Sequence, residues 1–152
     1  MQKITTCLTF NNQAEEAVNL YTSIFKDSQI VSTMRHGDAG AVLSITFKLE
    51  GQEFLALNGG AYFGFAQGMS LFVKCDTQEE IDEKWEKLSA GGEEQQCGWL
   101  KDKFGMSWQI VPPILGELLQ DKDREKAKRV MEAMFTMRKI DIAALKQAAE
   151  QE

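Results

Sequence analysis

The 152-residue sequence predicts an α+β fold: two tandem βαβββ units and a C-terminal helical extension. Three observations carry this. Two amphipathic stretches open alike, with a Glu-Glu pair just inside a cap, and each follows a short apolar strand. Each is succeeded by short runs of strand-forming residues broken by Gly, Asn or Asp turns. After Pro112-Pro113 the apolar period switches from two to about 3.6 residues and stays there. The chain thus reads as a single domain over 1–152, with units at 1–60 and 68–112 and a tail at 113–152.

Ile4 to Phe10 opens the first unit as a strand, with Leu8 and Phe10 on one face and Thr5, Cys7 and Thr9 on the other. Asn11-Asn12 mark a turn and a helix cap, with Glu15 placed as in a capping box. Ala14, Ala17, Val18, Tyr21 and Phe25 then recur at helical spacing, so this helix buries one stripe, and Lys26-Asp27-Ser28 ends it. Strands follow at Gln29 to Arg35, Ala41 to Leu49 and Gln52 to Leu57, separated by HGDAG and by Glu50-Gly51.

A Gly-rich loop, NGGAYFGFAQG, joins the halves. Ser70 to Cys75 is the next strand, and Thr77 with Glu80 forms a capping box ahead of a helix that carries Ile81, Trp85 and Leu88 on one face. Gly91-Gly92 stops it. Ala17, Tyr21 and Ile24 correspond in spacing to Ile81, Trp85 and Leu88, which indicates an internal duplication. Any strand between Gly92 and Cys97 must be very short, and GGEEQQ reads as a solvated loop. Cys97 to Lys101, the turn DKFG and the strand Met106 to Val111 complete the unit. The tail is helical at Ile114 to Leu119, at Arg124 to Met137 and from Asp141, with Asp123 and Asp141 as N-caps. Ala127, Val130, Met131 and Met134 share a stripe that reads as core, with a dimer contact or a lid as the alternative, while Lys128, Arg129 and Glu132 face elsewhere.

Bulk properties exclude several functions. The formal net charge of -6 is the wrong sign for a nucleic-acid footprint or for attraction to anionic lipid. No apolar run approaches the roughly 18 residues that span a bilayer, and MQKITTCLTFNN lacks the apolar core of a signal peptide. Cys7, Cys75 and Cys97 lack metal-site spacing; they read as core thiols and suit a cytoplasmic protein. His36 is the only histidine, so no multi-histidine metal site exists within one chain. It reads as a solvated turn residue, or as a proton carrier or anion contact paired with Arg35 or Asp38. The glycines of NGGAYFGFAQG lack GxGxxG spacing and do not open a helix, so a dinucleotide site is excluded. Tyr62, Phe63 and Phe65 in this loop serve to anchor it on the core or to cover a site.

The tandem units, together with the runs AEEAVNLYTSIF, FLALNGG, GWLKDKFGMSWQIVP and KIDIAAL, resemble the PhnB-like branch of the vicinal-oxygen-chelate superfamily. That superfamily includes glyoxalase, bleomycin-resistance proteins and extradiol dioxygenases, and the branch often carries the label 3-demethylubiquinone-9 3-methyltransferase. The resemblance extends over nearly the whole chain. It implies a glyoxalase-like fold whose curled mixed sheets form a cup, a small-molecule site inside that cup, and homodimers. Its enzymes hold one divalent metal with inward His, Glu or Gln side chains. The matching positions here are Thr5, Ala56, Ser70 and Gln109. Hydroxyls are weak ligands for a divalent ion, Ala is none and a lone amide is insufficient, so no metal and no other cofactor is expected. Gln109, central in FGMSWQIVP, either orients a polar ligand or satisfies a group within the sheet.

If strand alternation holds, the ligand-binding set is Thr9, Phe54, Asn58, Phe72, Trp99, Ser107 and Gln109, an apolar pocket with a few placed polar groups. Trp108, Ile110 and Trp85 belong to the core instead. The expected function is metal-free binding of a small organic molecule by a homodimer. A lyase, isomerase or dioxygenase is the alternative, and a purely structural protein the third reading. Methyl transfer is disfavoured because no Gly-rich first turn of an S-adenosylmethionine sheet is present. The catalytic residues, if any, are not named by the sequence.

Overall fold

In a computed structural model of the chain, residues 2–37 and 40–151 are described. They form an α+β fold of two four-stranded mixed sheets and five helices. The chain divides into two compact units, Met1–Phe65 and Ala66–Glu152.

The first unit comprises β1 (Thr6–Phe10), α1 (Ala14–Ile24), β2 (Gln29–Arg35), β3 (Val42–Leu49) and β4 (Gln52–Asn58). Its strand order is β1-β4-β3-β2, with β1 parallel to β4 and the other neighbours antiparallel. Leu8 and Phe10 are buried on the face packed by α1, whose Ala14, Ala17, Val18 and Tyr21 are also buried. Phe47 and Phe54 stack within this core, ring centroids 5.5 Å apart. The cap of α1 differs from expectation. Asn12 takes a positive φ of 60° and Gln13 is the N-cap, with no side-chain bond. The first amide of the helix, Ala14 N, donates instead to Asn58 Oδ1 at 3.0 Å. An acceptor distant in sequence thus replaces the local capping box.

The second unit comprises β5 (Leu71–Lys74), α2 (Gln78–Ser89), β6 (Glu93–Glu94), β7 (Trp99–Lys101), β8 (Ser107–Val111), α3 (Pro113–Leu119), α4 (Arg124–Phe135) and α5 (Ile142–Glu150). Its strand order, β5-β8-β7-β6, with β5 parallel to β8, repeats the first unit's topology. The duplication read from two helices therefore extends to the strand pairing. Here the expected box forms: Thr77 Oγ1 accepts from Glu80 N at 3.2 Å. Ile81, Trp85 and Leu88 of α2 and Leu100, Trp108 and Ile110 of the sheet are buried. Strand β6 is two residues long, and its Glu94 is not merely solvated: Oε1 accepts from Trp85 Nε1 at 2.6 Å.

The tail helices build a second core from Val111, Leu115, Val130, Ile140 and Leu145. Asp123 and Asp141 cap α4 and α5 as expected. Arg129 is not an idle surface charge; its guanidinium donates to the carbonyls of Ala148 and Ala149 at the end of α5. Strand β8 is buried at four of its five residues. This sets it apart from β2, exposed along its whole length at the edge of the first sheet. Among the described residues, no helix is long and apolar enough to cross a membrane.

The cysteines do not share one environment. Cys75 is buried, Cys97 is half-buried and Cys7 is exposed. Cys7 alternates with the core-facing Leu8, so the strand turns it away from α1; the expectation of three core thiols is corrected there.

Candidate functional site

The DKFG hairpin aims the residues of β8. Asp102 is buried at 2% exposure and accepts three hydrogen bonds. Oδ1 takes the amides of Phe104 at 2.9 Å and Met106 at 3.0 Å, and Oδ2 takes Trp108 Nε1 at 2.9 Å. Gly105 closes the turn with φ 90°, a backbone region that suits glycine. The turn and the Trp108 anchor set which side chains of β8 face α2. Trp108 and Ile110 do, so Gln109 looks to the opposite side.

On that side the register builds a row. Gln109 lies directly opposite Phe72 on β5 and Trp99 on β7, so an amide sits between two aromatic rings across three strands. Gln109 Nε2 donates to Ser70 Oγ at 3.1 Å. Its Oε1 makes no hydrogen bond among the described residues. Facing the row is a cavity of about 450 Å³. Its sheet wall is Phe72, Cys97, Trp99, Gln109 and Val111, and its other wall is Leu115, Gly116 and Leu119 of α3 with Met134 and Phe135 of α4. None of the ten carries a charge. The cavity is open: Phe72 is 53% and Phe135 58% exposed.

Phe72, Trp99 and Gln109 are thus brought together. The other sequence-predicted positions are not in this cavity. Ser107 shares the strand face of Gln109 but is buried at 2% exposure. Phe54 is core at 5% exposure, and Asn58 spends its amide on Ala14 N and on the Val42 carbonyl. The reason is register: Thr6, Leu8 and Phe10 pair with Phe54, Ala56 and Asn58, which therefore share the helix-packed face. Thr9, on the other face, is half-buried beside Gly59, where an added Cβ would lie 2.5 Å from Thr9 Cγ2. Phe65 of the adjoining loop packs edge-on against Phe10 at 5.2 Å, which anchors the loop, while Tyr62 is 98% exposed. That loop leads into strand β5 and not into a helix. His36 is exposed, and Arg35 pairs with Glu15 at 2.8 Å; Asp38 lies outside the described residues.

The residues do not fit the divalent metal of the superfamily's enzymes. Ala56 is buried in the helix-packed core and offers no donor, while Ser70 and Gln109 spend a hydrogen bond on each other. Among the described residues no three His, Cys, Asp or Glu side chains converge as a cation site. Sequence reasoning missed the lining from the tail and from Cys97. The Met stripe of α4 was the one signal: Met134 reaches both the tail core and the cavity, whereas Met131 is 40% exposed.

The family described as 3-demethylubiquinone-9 3-methyltransferase matches residues 2–111. A solved structure from Bacillus cereus, described as a putative 3-demethylubiquinone-9 3-methyltransferase and PhnB protein, is 42% identical. The match covers 73% of this chain and 99% of that one, with a TM-score of 0.68. A Pseudomonas aeruginosa protein at 19% identity covers 74% and 98%, TM-score 0.65. The fosfomycin resistance protein FosX of Listeria monocytogenes at 15% identity covers 79% and 98%, TM-score 0.57. These last two share the fold. No curated protein matches the chain.

Proposed function

The chain belongs to the PhnB-like family described as 3-demethylubiquinone-9 3-methyltransferase, within the vicinal-oxygen-chelate superfamily, and from that premise we propose that it is a metal-free, homodimeric, cytoplasmic binder of a small organic molecule. The observation that carries this reading is the Phe72–Gln109–Trp99 row facing a cavity of about 450 Å³ with no charged lining. That volume falls within the usual range of small-molecule sites, roughly 300–1,000 Å³. Phe72 and Trp99 supply apolar contact and Gln109 supplies orientation. A divalent ion needs several strong donors, and here only one neutral amide and one hydroxyl, Gln109 and Ser70, stand together, with no carboxylate or imidazole beside them among the described residues. Methyl transfer is not part of the reading, because the only family feature in its favour is the description itself.

Equilibrium dialysis against zinc, manganese, nickel and iron(II), followed by elemental analysis, tests it. The expected result is well under one tightly held ion per chain. One retained divalent ion per chain, lost on Gln109→Ala, would overturn the metal-free reading and return the protein to the metal-dependent lyases, isomerases and dioxygenases.

A further inference from the structure

The matched family residues end at Val111, yet five of the ten residues lining the Gln109 cavity lie beyond that point, on α3 and α4. The geometry points to a binding site that the C-terminal helices complete, and that selects an uncharged, largely aromatic molecule carrying a hydroxyl; this rests on the small-molecule reading above and adds the ligand class and the tail's part in it.

The selection follows from what the walls offer. An ion in this cavity would give up part of its hydration against apolar surface and meet no opposite charge among the lining residues. An uncharged ring system meets Phe72, Trp99 and Phe135 at no such cost. One polar function is accommodated, because Gln109 Oε1 accepts no hydrogen bond among the described residues. The Ser70 hydroxyl both donates and accepts, so the Gln109 amide can sit either way round. A ligand hydroxyl, donor and acceptor at once, satisfies either orientation; a carboxylate or an ammonium satisfies one and brings a charge.

The tail is held to the sheet by main-chain bonds and not by apolar contact alone. Cys97 N donates to the Met137 carbonyl at 2.8 Å and Gly98 N to the Arg138 carbonyl at 2.7 Å. Gln78 adds a clamp from α2, donating to the Ile140 carbonyl and accepting from Ile142 N. The wall formed by α3 and α4 is therefore part of the fold in the absence of ligand. In that wall Gly116 is the opening: a Cβ added there meets no atom within 4 Å. Gly116 lines the cavity, so a large side chain at 116 has room to extend over it without forcing the helix.

The test uses the full chain and three probes of one shape: 2-naphthol, 2-naphthoate and the 2-naphthylmethylammonium ion. Binding at pH 7 is followed by the indole N–H signals of the three tryptophans in two-dimensional NMR, assigned with Trp99→Phe. The expected result is that 2-naphthol shifts the Trp99 signal and leaves those of the buried Trp85 and Trp108 in place, while the two ions bind at least tenfold more weakly. Gly116→Phe should weaken 2-naphthol at least tenfold without lowering Tm, and Gly116→Ala, which also replaces a helical glycine, should bind like the native chain and melt no lower. If 2-naphthol binds as tightly to Gly116→Phe, or either ion binds as tightly as 2-naphthol, this inference fails while small-molecule binding stands. Absence of any probe binding to the native chain overturns both.

Discussion

At the scale of single residues, Asp102 decides how the candidate site is aimed. One buried carboxylate holds two turn amides and the indole of Trp108, and through them the facing of every side chain on β8. Asp102→Ala leaves those donors without an acceptor in a dry environment, where each unmet group costs about 1–3 kcal/mol. The expected loss is about 3 kcal/mol, seen as a Tm lower by roughly 6–12 °C. Thermal unfolding followed by circular dichroism checks it; an unchanged Tm would mean that the turn stands without its carboxylate. The DKFG turn was legible from sequence as a turn. The central role of its aspartate was not, because the three partners become neighbours only when the hairpin closes. Asn58 is a similar case: it reads as a polar residue at a strand end, and its use as the cap of α1 depends on a helix that begins 44 residues before it.

At the scale of elements, the docking of the tail carries an ionic component that pH can probe. Asp82 on α2 meets Lys139, just ahead of α5, at 2.8 Å. The hydrogen bond from Lys139, and then that from Gln78, hold the Asp82 carboxyl below its ordinary value of 3.8. Asp121 is lowered too, first by the Asp123 backbone amide and then by Lys126, before α4 begins. A carboxylate whose folded pKa is depressed contributes stability that is complete above its unfolded pKa. That contribution is lost as pH falls through the folded pKa. The Asp82 side chain is exposed and that of Asp121 only half-buried, so the effect is small and screened by salt. Tm measured from pH 6 down to pH 2 should fall below about pH 4. Asp82→Asn should differ from the native chain at pH 6 and converge with it at the acid end. A constant offset across the range would show that Asp82 acts through packing and not through charge.

At the scale of the whole molecule, β2 bears on the proposed homodimer. It is an edge strand with Ile30, Val31 and Met34 at 42%, 48% and 62% exposure, a long apolar edge of the kind that proteins ordinarily cover. A second copy of the chain is the occupant that the dimer reading supplies. Sedimentation velocity at micromolar concentration should give a dimer, and the double substitution Val31→Lys, Met34→Lys a monomer with an unchanged far-ultraviolet spectrum. A native chain that sediments as a monomer would end the dimer proposal.

Local periodicity and turn chemistry by themselves determined the elements, their order, the duplication and the facing of β1 and β8, because there the apolar alternation is strong and one face must leave water. The sheet pairing settled β4. FLAL is apolar on both faces, so only its alignment beside Leu8 and Phe10 could turn Phe54, Ala56 and Asn58 into the core. The cavity was settled the same way: Leu115, Gly116, Leu119, Met134 and Phe135 stand near Gln109 through packing and main-chain bonds that tie the tail to the sheet, interactions between segments whose spacing along the chain carries no trace of them.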